Sequence, residues 1–231
     1  MSRARVRVAL VPPAPGMLRP DCCAAAIDVL RATTTLSVAR RNGATRVVPF
    51  SSTAEAIAFR DAHPGALACG ERDGRIVPGF DLGNSPSEFT PERVAGRMLA
   101  FASTNGSRAL LAASRCRRRL LASFATLSAV VEALAGERDV WLVCAGKLGR
   151  FALEDAACAG TIAARLQARG ATLADDAARF VATLACADAA AVHAAVAGAD
   201  HGRWLTSLGL SFAADVVSCA TLDGLERAES W

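Results

Sequence analysis

The sequence predicts an α/β fold in which helices cover both faces of a mainly parallel or mixed sheet, followed by a helical C-terminal portion. Short apolar runs alternate with amphipathic stretches as far as Gly170, an order typical of parallel sheets with helical crossovers. Beyond Gly170 the pattern becomes helical. The chain has 231 residues, 52% hydrophobic and 21% charged, which suits one large domain or two small ones.

Each predicted strand is a short apolar run that ends at proline, glycine or a polar residue. The runs lie at 6–11, 23–30, 46–50, 66–70, 97–104, 119–124 and 139–146. The tail at 213–222 predicts one further short strand. The stretch 70–89 is too long for an ordinary connection, but Phe80 and Leu82 give it apolar anchors. Loops of this length are usually functional or disordered, and we expect this one to be ordered.

The predicted helices are amphipathic stretches bounded by capping residues. Ser51 to Thr53 supply N-caps for the second helix, and Asn42 with Gly43 stops the first. The helices are expected at 33–44, 54–62, 106–114, 126–136, 153–170, 175–187, 189–198 and 201–209.

Composition favours an enzyme with an anionic substrate over a nucleic-acid-binding protein. The net charge of +4 is mild and spread along the chain, tyrosine is absent and aromatic residues make up only 5%. Of 26 basic residues only Lys147 is a lysine, which singles it out against an arginine-rich background.

The eight cysteines are predicted to be free, buried thiols in a reducing cytoplasm. No CxxC sequence and no cysteine–histidine spacing typical of zinc occurs. Adjacent Cys22 and Cys23 leave a redox role open. Charged residues interrupt every apolar stretch well before 18 residues, so no membrane span is expected.

The unusual polar residues cluster after strands. They are Asp28 and Arg31, Glu71 and Arg72, Thr104 to Gly106, Ser123, Gly146 to Gly149, and Glu154 with Asp155. In open α/β sheets ligands bind outside the carboxyl ends of the strands, so these groups predict one site.

Their chemistry matches a phosphorylated ligand. Arg31, with the hydroxyls of Thr33 and Thr34, suits phosphate oxygens, and the helix start at Asn105 and Gly106 suits an anion. Alternatively, both segments are plain N-cap turns. Two or three of the acids Asp28, Glu71, Glu154 and Asp155 would suit Mg²⁺ bound with substrate phosphate, although Glu154 and Asp155 are also ordinary first-turn helix acids.

Several familiar catalytic motifs are absent. His63, His193 and His201 lie away from strand ends, and we expect all three to be structural or at the surface. No G-x-S-x-G, Walker or G-x-G-x-x-G sequence occurs, which argues against a serine hydrolase and against nucleotide-binding enzymes of those types.

The ordered motifs DVLRATTT, GER.G....GFDLGNSP, TNG..AL, SF and AG..GRF.LED..CAG resemble the 2-phosphosulfolactate phosphatase (ComB-type) family. The resemblance covers roughly residues 24–170, with a weaker likeness at 213–224. It implies a single ComB-like domain over 1–231, with a three-layer α/β/α fold and a helical part at 171–231. It also implies Mg²⁺-dependent hydrolysis of 2-phosphosulfolactate to sulfolactate and phosphate, a step of coenzyme M biosynthesis.

The positions that match the family's motifs are Asp28, Arg31, Thr33 to Thr35, Glu71, Arg72, Asp81, Asn84, Ser85, Asn105, Ser123, Arg150, Glu154 and Asp155. Three positions depart from the family's pattern: Ser103 stands where Thr is common, Ala125 where Asn is common and Ala152 where Ser is common. They suggest either a shifted substrate or drift.

A working mechanism follows from these residues. Asp28 with Glu154 or Asp155 would hold Mg²⁺, and Arg31 with Asn105 and Gly106 would grip the phosphoryl oxygens. Arg72 or Arg150 would meet the sulfonate or carboxylate, and Glu71 would be a general base or second metal ligand. Leu30 replaces the second acid of a D-x-D pair, which favours attack by metal-bound water over a covalent Asp28 intermediate.

Two rivals stay open: a phosphatase for another small phosphorylated hydroxy acid, and a non-catalytic binder of phosphorylated metabolites. The sequence predicts neither a nucleic-acid nor a membrane partner and leaves homo-oligomer formation open.

Overall fold

Nine strands form two sheets in the computed structural model, which describes residues 4–14 and 16–231. The strands are β1 (Arg5–Ala9), β2 (Cys23–Ile27), β3 (Arg46–Pro49), β4 (Leu67–Arg72), β5 (Arg75–Ile76), β6 (Met98–Ala102), β7 (Arg118–Ala122), β8 (Asp139–Cys144) and β9 (Thr172–Leu173). The first sheet has the order β7-β2-β8-β1-β9 and is parallel throughout. The second has the order β3-β6-β4-β5, in which only β4 and β5 are antiparallel.

Ten α-helices complete the described part of the chain. They are α1 (Ala32–Arg41), α2 (Thr53–Ala62), α3 (Pro91–Val94), α4 (Gly106–Ala112), α5 (Leu127–Leu134), α6 (Leu153–Ala168), α7 (Asp176–Ala182), α8 (Ala189–Gly198), α9 (Asp200–Ser207) and α10 (Leu210–Cys219). The predicted α/β architecture with helical layers and a helical C-terminal part is confirmed. The division into two sheets was not predicted.

The central strand β2 is buried over its whole length because both faces of its sheet are covered. Ala25 and Ile27 point into a core formed with α5 and α6, whereas Ala24 and Ala26 point into a second core with α1, α4 and the strand β6. A strand covered on both faces has no place for polar residues, which explains its unbroken apolar sequence.

The register brings the ends of the central strands to one edge. Ile27 pairs with Ala122 of β7 and with Cys144 of β8, so the loops after all three strands begin side by side. In the second sheet Gly70 pairs with Ala102. This alignment places the loops that carry the polar motifs next to one another.

Two element predictions need correction. The strand predicted at 213–222 is wrong, because Leu210–Cys219 forms α10. Asp215, Val216 and Cys219 are its buried residues, and their spacing fits one helical face. Short apolar runs do not by themselves distinguish a strand from a buried helix. The strand predicted to end at Gly70 is longer than expected, because β4 continues to Arg72 and turns into β5.

No helix in the part of the chain that the structure describes is long and apolar enough to span a lipid bilayer.

Candidate active site

A cavity of about 340 Å³ lies at the edge where the strands end. The end of β4 contributes Glu71 to its wall, and loops that follow the strands contribute Asp28, Arg31, Asn84, Asn105 and Lys147. The helix α9 contributes His201, Trp204 and Leu205. The C-terminal helical part therefore closes one side of the cavity within the same chain.

Asp28 comes directly after β2 and is only 5% exposed. Its Oδ1 accepts a hydrogen bond from the Ala32 amide at 3.3 Å. Burial raises the pKa of Asp28 to about 7, with further increases from Glu71 and Glu154, while His201 opposes the shift. A carboxyl group that titrates near neutrality at a cavity wall is typical of a functional site.

Gly106, the first residue of α4, lets this helix approach Asp28 closely. A Cβ atom at this position would lie 2.6 Å from Asp28 Oδ2 and 2.4 Å from the Cβ of Ala32. Gly106 is therefore required, because any larger residue would clash with the loop that carries Asp28.

The threonine cluster after Arg31 builds this loop through backbone contacts. Thr33 Oγ1 donates to the Ala122 carbonyl at 2.7 Å and accepts from the Asp28 amide at 2.9 Å. Thr34 Oγ1 donates to the Val29 carbonyl. Both side chains are buried and neither lines the cavity. The structure thus gives these hydroxyls backbone partners in place of the phosphate contact expected from the sequence.

Arg31 lines the cavity and forms a buried ion pair with Asp215 of α10. Its Nη1 donates to Asp215 Oδ2 at 2.5 Å and its Nη2 to the Gly74 carbonyl at 2.6 Å. The ring of Phe212 lies 5.2 Å from the guanidinium carbon. Ser85 donates to the other oxygen of Asp215 at 2.5 Å. Asp215 was missed in the sequence, where its only signal was the weak likeness at 213–224.

Glu71 is held at the cavity wall by two backbone amides. Its Oε1 accepts from Thr104 at 2.7 Å and its Oε2 from Gly74 at 2.9 Å. The neighbouring Arg72 does not line this cavity, because its guanidinium donates to the carbonyls of Glu71 and Ala102.

Asp155 and Glu154 begin α6 and differ sharply in their surroundings. Asp155 accepts from the Val29 amide at 2.9 Å and from the Gly146 amide at 3.0 Å, so both of its oxygens tie two site loops together. Glu154 Oε1 lies 3.2 Å from His201 Nδ1, whereas its buried Oε2 has no hydrogen-bond partner in the described structure. Glu154 therefore retains an oxygen available to a ligand.

The imidazole of His201 was not recognised as a site residue, because nothing in its sequence neighbourhood marks it. His201 is buried beside Glu154 and lines the cavity. The expectation that every histidine is structural or at the surface therefore misses its place in the site.

Lys147 stands on a tight turn after β8. Its backbone exchanges hydrogen bonds with Arg150 at 2.9 and 3.0 Å, and Asn105 Oδ1 accepts from the Leu148 amide, which ties the turn to the start of α4. Lys147 Nζ lies 4.4 Å from the ring centre of Trp204. Burial lowers the pKa of Lys147, although Glu154 and Asp200 oppose the shift.

A second cleft of about 690 Å³ adjoins the cavity and shares Lys147 and His201 with it. Arg150 lines this second cleft and is exposed. Arg150 therefore lies outside the first cavity, and Lys147 lies between that cavity and the second cleft.

The remaining predicted residues divide between the cavity and its support. Asn84 lines the cavity, and its buried Oδ1 has no hydrogen-bond partner among the described residues. Ser123 is fully buried away from the cavity wall. Of the three departures from the family pattern, Ser103 Oγ accepts from the Ser107 amide, and Ala152 lines the second cleft.

Within the described residues, no group of three or more His, Cys, Asp or Glu side chains is arranged so that it could hold a metal ion. Mg²⁺, however, is commonly held by one or two carboxylates together with water and substrate phosphate. Asp28 and Glu154 offer hard oxygen atoms of that kind, and the unpartnered Oε2 of Glu154 fits such a role.

Comparison with known proteins gives a consistent result. The model of the 2-phosphosulpholactate phosphatase family matches residues 12–227. A probable 2-phosphosulfolactate phosphatase of Synechococcus sp. strain RCC307 is 40% identical over 229 residues, covering 92% of this chain and 89% of the relative. A protein of the same description from Deinococcus radiodurans is 40% identical over 211 residues, covering 90% and 85%. The match to one from Thermotoga petrophila reaches 45% identity and spans 62% of either chain.

Proposed function

The chain belongs to the 2-phosphosulfolactate phosphatase family, a family of phosphoric monoester hydrolases, and on this premise we propose that it hydrolyses 2-phosphosulfolactate to sulfolactate and phosphate. The family match confirms the resemblance seen in the motifs. The observation that carries the proposal is that most of those motifs, separated by more than 100 residues, converge on one cavity lined by both cations and carboxylates. If the activity is present, coenzyme M formation is the pathway that the family implies for the product.

We propose that Mg²⁺ assists the reaction and that Asp28 and Glu154 hold it. When bound, the ion would neutralise charge on the phosphoryl oxygens. Asp155 has a different part in this proposal, because it lines neither the cavity nor the second cleft and both of its oxygens accept backbone amides. It positions the loop after β2 against the turn after β8, and His201 positions Glu154.

Two cations are assigned to the two ends of the substrate. Arg31 uses two of its donors on Asp215 and Gly74, and a guanidinium has five, so donors are left for the phosphoryl oxygens. Lys147 is assigned to the sulfonate or carboxylate end, because it lies at the junction of the cavity and the second cleft. A small tri- or tetra-anion needs more than one cation for its charge to be balanced.

The chemical step is assigned to water. Water loses a proton to the base and attacks phosphorus, the bond from phosphorus to the C2 oxygen breaks, and the proton taken from water is passed to that oxygen, which leaves as the alcohol. Glu71 is the candidate base, held in place by the amides of Thr104 and Gly74. Leu30 stands where a D-x-D enzyme has its second acid, and for this reason we favour water over Asp28 as the nucleophile.

The test is phosphate release from 2-phosphosulfolactate by the full chain, with Mg²⁺ and with EDTA. We expect release that needs Mg²⁺ and falls at least 100-fold in the folded Asp28→Asn variant. Metal-dependent release from another phosphorylated hydroxy acid, without release from 2-phosphosulfolactate, would replace the substrate. Tight binding of these compounds without any turnover would instead favour a non-catalytic binder.

A further inference from the structure

Two cysteines that the proposed reaction does not use lie in direct contact. Cys22 Sγ donates to Cys116 Sγ at a separation of 3.0 Å, although the residues are 94 positions apart in the chain. Cys22 is 0% exposed and Cys116 is 5% exposed. Six other cysteines occur in the chain, and the described structure records no comparable sulfur contact for them.

The backbone holds the two thiols together. Cys22 directly precedes β2 and Cys116 lies just before β7, and these two strands are parallel neighbours. The Arg117 amide donates to the Cys22 carbonyl at 3.1 Å, so the two segments are joined next to the sulfur atoms. A disulfide needs a sulfur separation of about 2.05 Å, which is about 1 Å closer than the thiols now stand.

From this contact we propose that Cys22 and Cys116 are a disulfide-forming pair, oxidised by peroxide. Cys116 is the residue that reacts first, because it lies in a bend between the exposed residues Arg115 and Arg117, whereas Cys22 is completely buried. Donation from Cys22 lowers the pKa of Cys116, and the positive charge of Arg119 acts in the same direction while burial opposes both. A lowered thiol pKa increases the thiolate fraction that attacks an oxidant.

The reaction balances in two steps. The Cys116 thiolate attacks one oxygen of hydrogen peroxide, an S–O bond forms, the O–O bond breaks, and hydroxide leaves and is protonated to water. The sulfur of Cys22 then attacks Cys116, the S–S bond forms, the S–O bond breaks, and a second water leaves with the proton of Cys22. Two thiols lose two electrons and two protons, and one peroxide is reduced to two waters.

The disulfide between Cys22 and Cys116 would lie at the opposite end of the strands from the proposed catalytic site. Both cysteines stand at the amino ends of β2 and β7, whereas Asp28 follows the carboxyl end of β2. The crosslink would close a loop of 94 residues, which constrains the unfolded chain strongly. We therefore expect oxidation to raise the melting temperature by roughly 5–15 °C and to leave turnover within about twofold.

The experiment treats the full chain with hydrogen peroxide, alkylates the remaining thiols under denaturing conditions, and counts them by intact mass. We expect two fewer alkylated cysteines than the eight of the chain, reversal by dithiothreitol, and a linked peptide pair containing residues 22 and 116. Cys22→Ala and Cys116→Ala should each abolish the melting-temperature shift. The partly exposed Cys186 is the matched control, and Cys186→Ala should keep the shift.

Several results would overturn the proposal: retention of all eight thiols, loss of a single thiol at Cys186, or a linked pair at other positions. If either variant at 22 or 116 fails to fold, the peptide map of the unaltered chain decides alone. Since this readout needs no phosphatase activity, its failure is distinct from failure of the proposed function.

Discussion

Arg31 and Asp215 form a buried ion pair across 184 residues of sequence, with Nη1 and Oδ2 2.5 Å apart. The pair connects the loop after β2 to α10, and Ser85 and Gly74 complete its hydrogen bonds. This ion pair holds the C-terminal helices against the wall of the cavity. A buried charge that loses its partner is costly, so this contact is open to test.

We expect Asp215→Asn to lower the free energy of unfolding by about 3 kcal/mol, because it leaves the Arg31 cation buried without an opposite charge. Urea unfolding measures this change. Ser85→Ala is the control, and losing one neutral donor should cost only about 1 kcal/mol. A double variant, Arg31→Met with Asp215→Leu, should recover stability without recovering phosphate release. Recovery of both would show that Arg31 has no part in the reaction.

The Asp28→Asn variant should be more stable than the original chain at pH 8 when EDTA is present. The folded pKa of Asp28 is about 7, above the usual value of about 3.9 for an unfolded aspartate, so its contribution to stability is complete below about pH 4 and is lost as pH rises through about 7. Asparagine does not titrate. The advantage of the variant should therefore grow from pH 4 to 8, reaching about 1–4 kcal/mol.

Urea unfolding at pH 4.5, 6 and 8 measures this trend. Asp21→Asn serves as the control, because Asp21 is an exposed acid at the surface. An advantage for Asp28→Asn that is the same at all three pH values would contradict the neutral pKa of the buried carboxyl.

Lys147→Met should reduce kcat/KM for 2-phosphosulfolactate by about 10- to 100-fold, the usual range for a lost charged hydrogen bond. For 2-phospholactate, which lacks the sulfonate, the reduction should be less than about threefold if Lys147 binds the sulfonate. Steady-state kinetics with both substrates measures the difference. Arg179→Met is the control, because Arg179 is an exposed cation that lines neither the cavity nor the second cleft. Equal losses with both substrates would place Lys147 at the phosphate or the carboxylate instead.

Gly106→Ala should impair catalysis through steric contact alone. The new Cβ would lie 2.6 Å from Asp28 Oδ2, so either the carboxylate or α4 must move, and overpacking of this kind costs about 1–3 kcal/mol. We expect both kcat and the melting temperature to fall. Gly136→Ala is the matched control, because no atom lies within 4 Å of its added Cβ. Unchanged kinetics in Gly106→Ala would mean that the position of Asp28 is not critical.

The alternation of strands and helices and the positions of the strand ends could be predicted from the amino-acid pattern. Both follow from local patterns: β2 is apolar because it is covered on both faces, and Asp28 follows at its end. The family motifs likewise mark Asp28, Arg31 and Glu71, all of which line the cavity. The strand predicted at 213–222 was wrong because a short apolar run fits a strand and a buried helix equally well.

Which polar groups face a ligand and which stabilise the fold depends on contacts between distant parts of the chain. The hydroxyl of Thr33 and the carboxylate of Asp155 have the right chemistry for a phosphate or metal site, but backbone groups from distant loops occupy them. His201 and Asp215 carry no local signal, because long-range packing of α9 and α10 brings them to the cavity and to Arg31. Hydrogen-bond capacity is visible in a residue type, whereas the partner that satisfies it depends on the whole fold.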